Sequence, residues 1–262
     1  MTRLYPQLAS GAVAQFPLQK SYRVLSTINL QEDGSRYTAA ASDPLQLSWV
    51  LPYKHITMAE ANTLQEFFGT VRGRLLPFTF LDPAGNLLAW SEDLTNAVWQ
   101  KTPLTVVTGN DNRGVKTFQL ASGASGSATV SQVLPCPATA LVCFSLFARA
   151  DQPVVLTLSV TDASGAVEKS FELGSAWQQF YVTQTGFGNS IGKTAALSFP
   201  QGSQAHVSRL TASPQPAPGA YITTAATSGL MTKTRFDQDS FLVTALGAND
   251  YACDVRLTSW MA

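Results

Sequence analysis

Charge is what this chain has least of. Asp, Glu, Lys and Arg make up 13% of its 262 residues, against about 25% in an ordinary soluble domain. The 17 cationic and 17 anionic side chains cancel to a formal net charge of zero. A nucleic-acid binder needs clustered cationic charge to neutralise phosphates, so no nucleic-acid site is expected. A neutral surface also removes the repulsion that holds copies apart, which favours self-association. Cysteine is nearly absent: Cys136, Cys143 and Cys253 are an odd set without a C-x-x-C pair. His55 and His206 are the only histidines. A standard zinc site would need most of these five residues to converge, so Cys136 and Cys143 read as small packed hydrophobes and no metal or other cofactor is expected. No apolar run approaches the roughly 20 residues that span a bilayer, and Met1 to Pro6 carries no signal-like segment. Membrane insertion is not expected, while a hydrophobic content of 45% excludes disorder.

What the chain does have is strand texture in three unequal parts. Ser21 to Leu30 alternates and is rich in β-branched residues, a turn follows at Glu32–Ser35, and Leu45 to Leu51 alternates again. The one convincing helix comes next. Thr57 and Glu60 have capping-box spacing, Ala61, Leu64, Phe67 and Phe68 recur at helical period, and Gly69 is placed to end it. Leu76 to Leu81 reads as a strand and Asp82 to Asn86 as a turn. From Leu87 to Ser228 no strong helical pattern exists. Short strands recur at Ser127–Leu134, Leu141–Ala148, Val154–Val160, Val167–Leu173, Trp177–Thr183 and His206–Leu210, with a tight hairpin at Asp162–Gly165. Such spacing indicates a β-sandwich. The proline-rich run 214–219 reads as an exit linker or edge segment. The last part resumes the first texture, with Tyr251, Cys253, Val255 and Leu257 on one face of a long strand.

Neither flank makes a complete sheet alone, but residues 1–86 plus 229–262 together have the size of one domain. The expected fold is therefore mainly β: a discontinuous β-sandwich or barrel-like domain (1–86 plus 229–262) with one α-helix, interrupted by a second β-sandwich (87–228), which the resemblance given below implies is a jelly roll. Insertion at a surface turn is cheap, since each doubling of a flexible loop costs only about 0.6 kcal/mol.

Catalytic chemistry finds little purchase. Gly186 to Thr194 ends in G-K-T like a phosphate-binding loop, but the first glycine position is Phe187, and no strand–helix pair flanks it. The run Gly123–Ser127 fails the spacing of a nucleophile elbow. A glycoside-hydrolase carboxylate pair would have to come from Glu92, Asp93, Asp151, Asp162, Glu168 or Glu172, most of them at turns or outward positions. The chain reads as a non-enzyme. Trp90, Trp99, Trp177, Phe180, Tyr181 and Phe187 remain as aromatic platforms for sugar rings, with Trp90 and Trp177 as the candidate carbohydrate-binding residues and Trp99 as core.

Two ordered sets of residues carry family resemblances. Trp49-Val50-Leu51-Pro52-Tyr53, Ile56-Thr57-Met58-Ala59-Glu60, Leu64-Gln65-Glu66-Phe67-Phe68, Gly73, Pro77-Phe78-Thr79-Phe80 and Asp82-Pro83 follow one another before the interruption. Thr234-Arg235-Phe236-Asp237-Gln238-Asp239 follows it. This set resembles the distal tail proteins of long-tailed bacteriophages and gene transfer agents. Asn86-Leu87-Leu88, Ser91-Glu92-Asp93-Leu94, Asn96-Ala97 and Trp99-Gln100-Lys101 resemble the opening of the carbohydrate-binding-like jelly rolls found in phage tail proteins. Gln132-Val133, Ser145 to Arg149 and Trp177 to Phe180 match its middle strands, and Ala220-Tyr221-Ile222-Thr223-Thr224 its close. Leu94 replaces a phenylalanine, and the usual Q-L-E is Arg209-Leu210-Thr211, so the glutamate of that position is missing.

The resemblance implies a structural virion protein made in the host cytoplasm and placed at the tail tip. Distal tail proteins form a ring, usually a hexamer, that joins the tail tube to the hub and tip while the tape-measure protein threads its lumen. The inserted sandwich is implied as a peripheral contact for host surface polysaccharide. The alternative is a receptor-binding tail-tip protein whose main role is saccharide recognition.

Overall fold

The computed structural model describes residues 3–111, 114–123, 126–186 and 191–261. The N-terminal part holds β1 (Gln19–Leu30), β2 (Arg36–Ile56), α1 (Met58–Val71) and β3 (Phe78–Leu81). There follow β4 (Trp99–Lys101), β5 (Leu104–Asn110), β6 (Lys116–Ser122), β7 (Ala128–Pro137) and β8 (Val142–Arg149). Then come β9 (Val154–Asp162), β10 (Gly165–Leu173), β11 (Gln178–Gln184), β12 (Ile191–Phe199) and β13 (Gln204–Ser213). The chain closes with β14 (Leu230–Phe236), β15 (Val243–Gly247) and β16 (Asp250–Met261). It is mainly β, with α1 the one α-helix among the described residues. No described helix is long and apolar enough to cross a membrane.

Two compact units form. The first comprises Met1–Ala9, Ala14–Phe80 and Met231–Ala262; the second comprises Ser10–Val13 and Leu81–Leu230.

In the first unit a sheet runs β1-β2-β16-β14-β3, with β15 also on β16. Strand β16 lies antiparallel along β2 from Tyr251↔Ile56 to Met261↔Leu45, and its Cys253, Val255 and Leu257 are buried on one face as the alternation requires. The core is aromatic. The Tyr5 ring stacks on Phe78 at 5.9 Å and meets the Phe80 edge at 5.5 Å, while Phe236 meets Phe68 at 4.9 Å. Tyr5 and Tyr53 share a hydrogen bond between their hydroxyls at 3.0 Å, the polar outlet that buried phenols require. Burial pushes both phenols above their ordinary pKa.

The capping box forms as the sequence indicates. Thr57 Oγ1 accepts from the Glu60 N–H at 3.3 Å, and Glu60 Oε2 accepts from the Thr57 N–H at 2.9 Å. The helix end differs from expectation. It does not stop at Gly69 but runs to Val71, and Arg72 takes the left-handed conformation at φ 56°. The N–H groups of Arg72 and Gly73 donate to Gly69 and Phe68 carbonyls at 3.1 Å each, which satisfies the carbonyls that the last turn leaves open. Glycine is common at such a position, but these two bonds hold an arginine there.

The second unit is a β-sandwich of two five-stranded antiparallel sheets, β10-β9-β12-β7-β4 and β11-β8-β13-β6-β5. Val130, Leu156, Leu158, Val160 and Leu197 face inward from one sheet, and Phe118, Leu120, Phe144, Leu146 and Val207 from the other. The hairpin at Asp162–Gly165 pairs β9 with β10 as read from sequence. Strand β12 carries no strand signal in the sequence at its start, because it begins inside the glycine-rich run 186–194. Residues 187–190 of that run lie outside the described residues. Its Gly186 backbone passes so close to Ala138 that a Cβ would sit 1.5 Å from the carbonyl oxygen. Lys193, the lysine of G-K-T, is buried and donates to Asp162 at 3.2 Å and Gln184 at 3.0 Å. It is a structural ion-pair member on β12.

The run 214–219 is no exit linker. Pro214 and Gln215 are buried, the Pro214 carbonyl accepts from the Val13 N–H, and the Pro216 carbonyl accepts from Thr183 Oγ1. The chain stays in the second unit through Leu230. All three cysteines are free and buried; burial pushes the Cys136 and Cys253 thiols to about 11 and raises that of Cys143. The histidines are held apart, His55 beside Asp250 and His206 beside Asp151.

Asn86 explains the opening motif of this unit. Its side chain is fully buried and spends all four hydrogen bonds on backbone: Nδ2 donates to the Leu210 and Ile222 carbonyls, and Oδ1 accepts from the Leu88 and Ala212 N–H groups. The Asn86 carbonyl also accepts from the Gly229 N–H at 2.7 Å, which sets the entering and leaving chain side by side.

Two outcomes are expected. Asn86→Ala strands four backbone groups, most of them buried, and should cost about 3–5 kcal/mol, read by urea denaturation of the wild-type and variant chains. Glu60→Gln should cost about 1 kcal/mol at pH 7. Partial burial raises the Glu60 carboxyl, but hydrogen bonds from the Thr57 and Ala9 N–H groups and the Thr57 hydroxyl outweigh it, so the net shift is downward. Stabilisation from a depressed carboxyl is present above its unfolded pKa and lost as pH falls through the folded one. The difference between Glu60→Gln and wild type should therefore shrink below about pH 4 in the same assay.

Candidate functional site

Strand register places a mixed polar and aromatic set on the outer face of the β11-β8-β13-β6-β5 sheet. Val107, Gln119, His206 and Arg149 stand opposite one another in one row. Thr117, Ser208, Phe147 and Gln179 stand in the next. Their alternating neighbours Phe118, Val207, Leu146 and Ala148 are buried in the core. Phe147 therefore lies on the outside of a central strand, where an aromatic ring covers no core.

The register of β13 breaks between Ser208 and Thr211, and Arg209 at the break has a left-handed φ of 53°. A left-handed non-glycine residue costs about 1–2 kcal/mol, and such strain concentrates where a bulge re-aims a side chain at a binding surface. Thr211 Oγ1 donates to the Arg209 carbonyl at 3.2 Å and helps hold the bulge. The Arg209 guanidinium carbon sits 5.2 Å from the Phe147 ring centroid, a cation–π contact. Among the described residues the guanidinium has no hydrogen-bond or ion-pair partner.

Arg209 lines an open cleft of about 680 Å³ with Glu92, Asn110, Gly114, Val115, Lys116 and Tyr221. Four chain segments meet here: the β13 bulge, the β5–β6 turn, the opening segment and the closing segment. Glu92 Oε1 accepts from the Tyr221 hydroxyl at 3.2 Å and the Thr223 hydroxyl at 3.4 Å. The Tyr221 hydroxyl also lies 3.3 Å from Ser91 Oγ, and partial burial raises its pKa. The β5–β6 turn is tied by Asp111, whose Oδ1 accepts from the Val115 N–H at 2.8 Å. The cleft thus holds a carboxylate acceptor with a fixed orientation, an amide, an ammonium and a planar guanidinium. Such groups bond hydroxyls and acidic substituents, and an aromatic ring at their edge supports the arginine.

The sequence-derived candidates lie elsewhere. Trp177 is half-buried, with the Arg149 guanidinium 5.6 Å from its ring. Arg149 also pairs with Asp151, which lies 3.3 Å from His206 Nε2, and these pairings hold the Asp151 carboxyl below its usual range. Asp151 and His206 border a smaller cleft of about 310 Å³. Trp90 is half-buried at a corner with φ 51°; its N–H donates to the Ala225 carbonyl and its carbonyl accepts from Trp99 Nε1. No hydrogen bond or ring contact links Trp90 to Trp177 among the described residues. Trp99 is buried as expected. Phe180 packs on Phe171 at 4.8 Å, Tyr181 is exposed beneath Lys169 Nζ at 5.4 Å, and Phe187 lies outside the described residues. The carboxylates are likewise dispersed. Asp93 caps the turn at Thr95, Asp162 holds Ser164 and Lys193, and Glu168 and Glu172 are exposed on the edge strand β10.

Sequence reading passed over Arg209, Lys116 and Phe147 as site residues. A signal for Phe147 existed: with Phe144, Leu146 and Ala148 inward, its parity is outward. None existed for Arg209, since the bulge that aims it is invisible in the sequence pattern.

No family model matches the sequence, and no curated protein matches it. Solved structures are similar to about half of it. One is the enzymatically active domain of tailspike protein 4 from bacteriophage CBA120, at 15% identity and TM-score 0.39, covering 51% of this chain and 22% of that one. Another is TmCBM61, determined with β-1,4-galactotriose, at 15% identity and TM-score 0.40, covering 48% and 97%. A third is the CBM22-1 xylan-binding domain from Paenibacillus barcinonensis, at 16% identity and TM-score 0.41, covering 51% and 98%.

Proposed function

We propose that this chain is a structural subunit of a phage tail tip, whose first unit (1–86 plus 229–262 by the sequence reading) assembles into a ring and whose inserted sandwich contacts host surface saccharide. The observation that carries the ring is the β1–β2 ribbon. Strand β16 pairs β2 only from Leu45 onward, so Ser26–Leu30 and Arg36–Ala40 pair with each other alone. Along this ribbon and its approach Tyr22, Val24, Ile28, Leu30 and Tyr37 are exposed, Leu30 at 77%. A two-stranded ribbon is marginal in water, and β1 is the end strand of its sheet among the described residues. Both needs are met by a second copy of the chain, which carries no net charge to oppose it. Copies related by a closing rotation make a ring, and six is the number the family resemblance implies. Its partners in this reading are the tail tube, the hub or tip proteins and the tape-measure protein.

The sandwich in this reading binds and does no chemistry. A weak sugar site with a dissociation constant of about 1 mM contributes about 4 kcal/mol. Repetition around a ring raises the avidity roughly 10²- to 10⁴-fold where glycan spacing allows. The second reading, a receptor-binding tip protein with saccharide recognition as its main role, is favoured by the 680 Å³ cleft with its strained Arg209.

Light scattering across a concentration series, with negative-stain images of the same fractions, should show a six-fold ring with a central hole. Val24→Lys with Ile28→Lys should abolish the ring and leave the circular dichroism spectrum unchanged. Wild-type protein that stays monomeric up to high concentration, with or without the tail hub, would remove the ring reading in favour of the second. Joining residue 86 to 229 through a short linker should leave a folded β-protein, since the Gly229 N–H already lies 2.7 Å from the Asn86 carbonyl oxygen. Unfolded products from several linker designs would overturn the inserted-domain organisation.

A further inference from the structure

We infer that the cleft at the β13 bulge selects saccharides bearing an acidic substituent, with Arg209 as the anchor for the acid group. This rests on the saccharide reading of the sandwich and deepens it.

Three observations converge on Arg209. Its backbone is held at φ 53°, a conformation an arginine does not adopt unaided, at a register break in the central strand of the sheet. Its guanidinium is laid against Phe147, 5.2 Å from the ring centroid. Among the described residues, nothing takes its hydrogen bonds. A guanidinium held against a ring on one side keeps N–H donors for a ligand on its other sides. Parallel pairs of those donors match the two oxygens of a carboxylate, or two oxygens of a sulfate or phosphate. A neutral hydroxyl uses one of those donors and leaves the charge unmet.

The rest of the cleft limits what else the ligand carries. Lys116 adds a second cation to the lining. Glu92 faces the same space with its carboxylate positioned by the Tyr221 and Thr223 hydroxyls. An acceptor of fixed orientation suits a ring hydroxyl donor and repels a second acid group. Asn110 supplies both a donor and an acceptor. The cleft is therefore matched to a polyhydroxylated ring with one acid group, such as a hexuronic acid unit, and is mismatched to a densely sulfated polyanion or a nucleic acid. Among the described lining residues charge also balances: one acid group meets Arg209 while Lys116 offsets Glu92.

The test uses the full chain immobilised at high density, which supplies multivalency without assuming a ring. It is presented with uronic-acid polysaccharides (polygalacturonate, alginate, hyaluronan), each paired with its carboxyl-reduced derivative, and with heparin as a dense polyanion. At least one acidic member should bind about 10- to 100-fold more tightly than its reduced partner, as expected for loss of a charge-assisted bidentate contact. Arg209→Gln should erase that preference, and Arg209→Lys should restore it only in part, because an ammonium lacks the paired donors. Lys116→Gln, away from the strained position, should narrow the preference and flatten its salt dependence. Phe147→Leu should weaken acidic binding through loss of the platform. Equal binding of acidic and reduced forms, unchanged in Arg209→Gln, would overturn this inference while leaving saccharide binding intact. Tightest binding to heparin would overturn it as well, in favour of a diffuse cationic surface. Absence of binding to every polysaccharide of both sets, with wild-type circular dichroism, would remove the saccharide reading and this inference together.

Discussion

The second unit hangs on one buried amide. Asn86 stands where the chain enters the sandwich and bonds the backbone of the opening segment, of β13 and of the closing segment at once. No other side-chain type presents two donors and two acceptors in that volume without a charge. Desolvating the amide is tolerable only because every partner is present, so the three segments must arrive together. Once they do, β13 is fixed through Leu210, inside the register break, and Ala212, just beyond it. Glu92 and Tyr221, on the two segments Asn86 joins, are brought within hydrogen-bond reach. The cleft is thus a consequence of the clamp that closes the sandwich.

This coupling explains why the site tolerates strain. A left-handed arginine in the middle of a sheet is a local defect, yet it is flanked by a buried strand segment held on both sides, by β6 and by β8. The rigid surroundings carry the cost, and the arginine gains a fixed orientation that a loop would not give it. The first unit solves its own packing differently, with interlocked rings of Tyr5, Phe67, Phe78 and Phe236 around one phenol pair.

Legibility in the sequence followed the range of the interactions. The capping box at Thr57 and Glu60 is local, and it formed as read. The helix end was misplaced because glycine preference at Gly69 is a weaker constraint than the two closing hydrogen bonds made by Arg72 and Gly73. Strand alternation exposed β9 and β16, whose faces differ sharply, but not β12, where Lys193 occupies a buried position that polarity argues against. Trp90 and Trp177 read from sequence as aromatic faces for stacking on sugar rings, and both are half-buried in the structure. The structure occupies the Trp90 backbone at a corner and pairs the Trp177 ring with Arg149. The cleft depends on Arg209, whose direction is set by a register break between distant strands, and no short-range pattern encodes that.

The three buried thiols carry a last consequence. With thiols pushed to about 11, Cys136 and Cys253 expose at neutral pH on the order of one thiolate in ten thousand, and Cys143 is raised in the same sense. Thiolate is the species that oxidants and disulfides attack, and burial denies them access as well. A protein made in a reducing cell interior and displayed in an oxidising medium would cross between the two with its covalent structure unaltered.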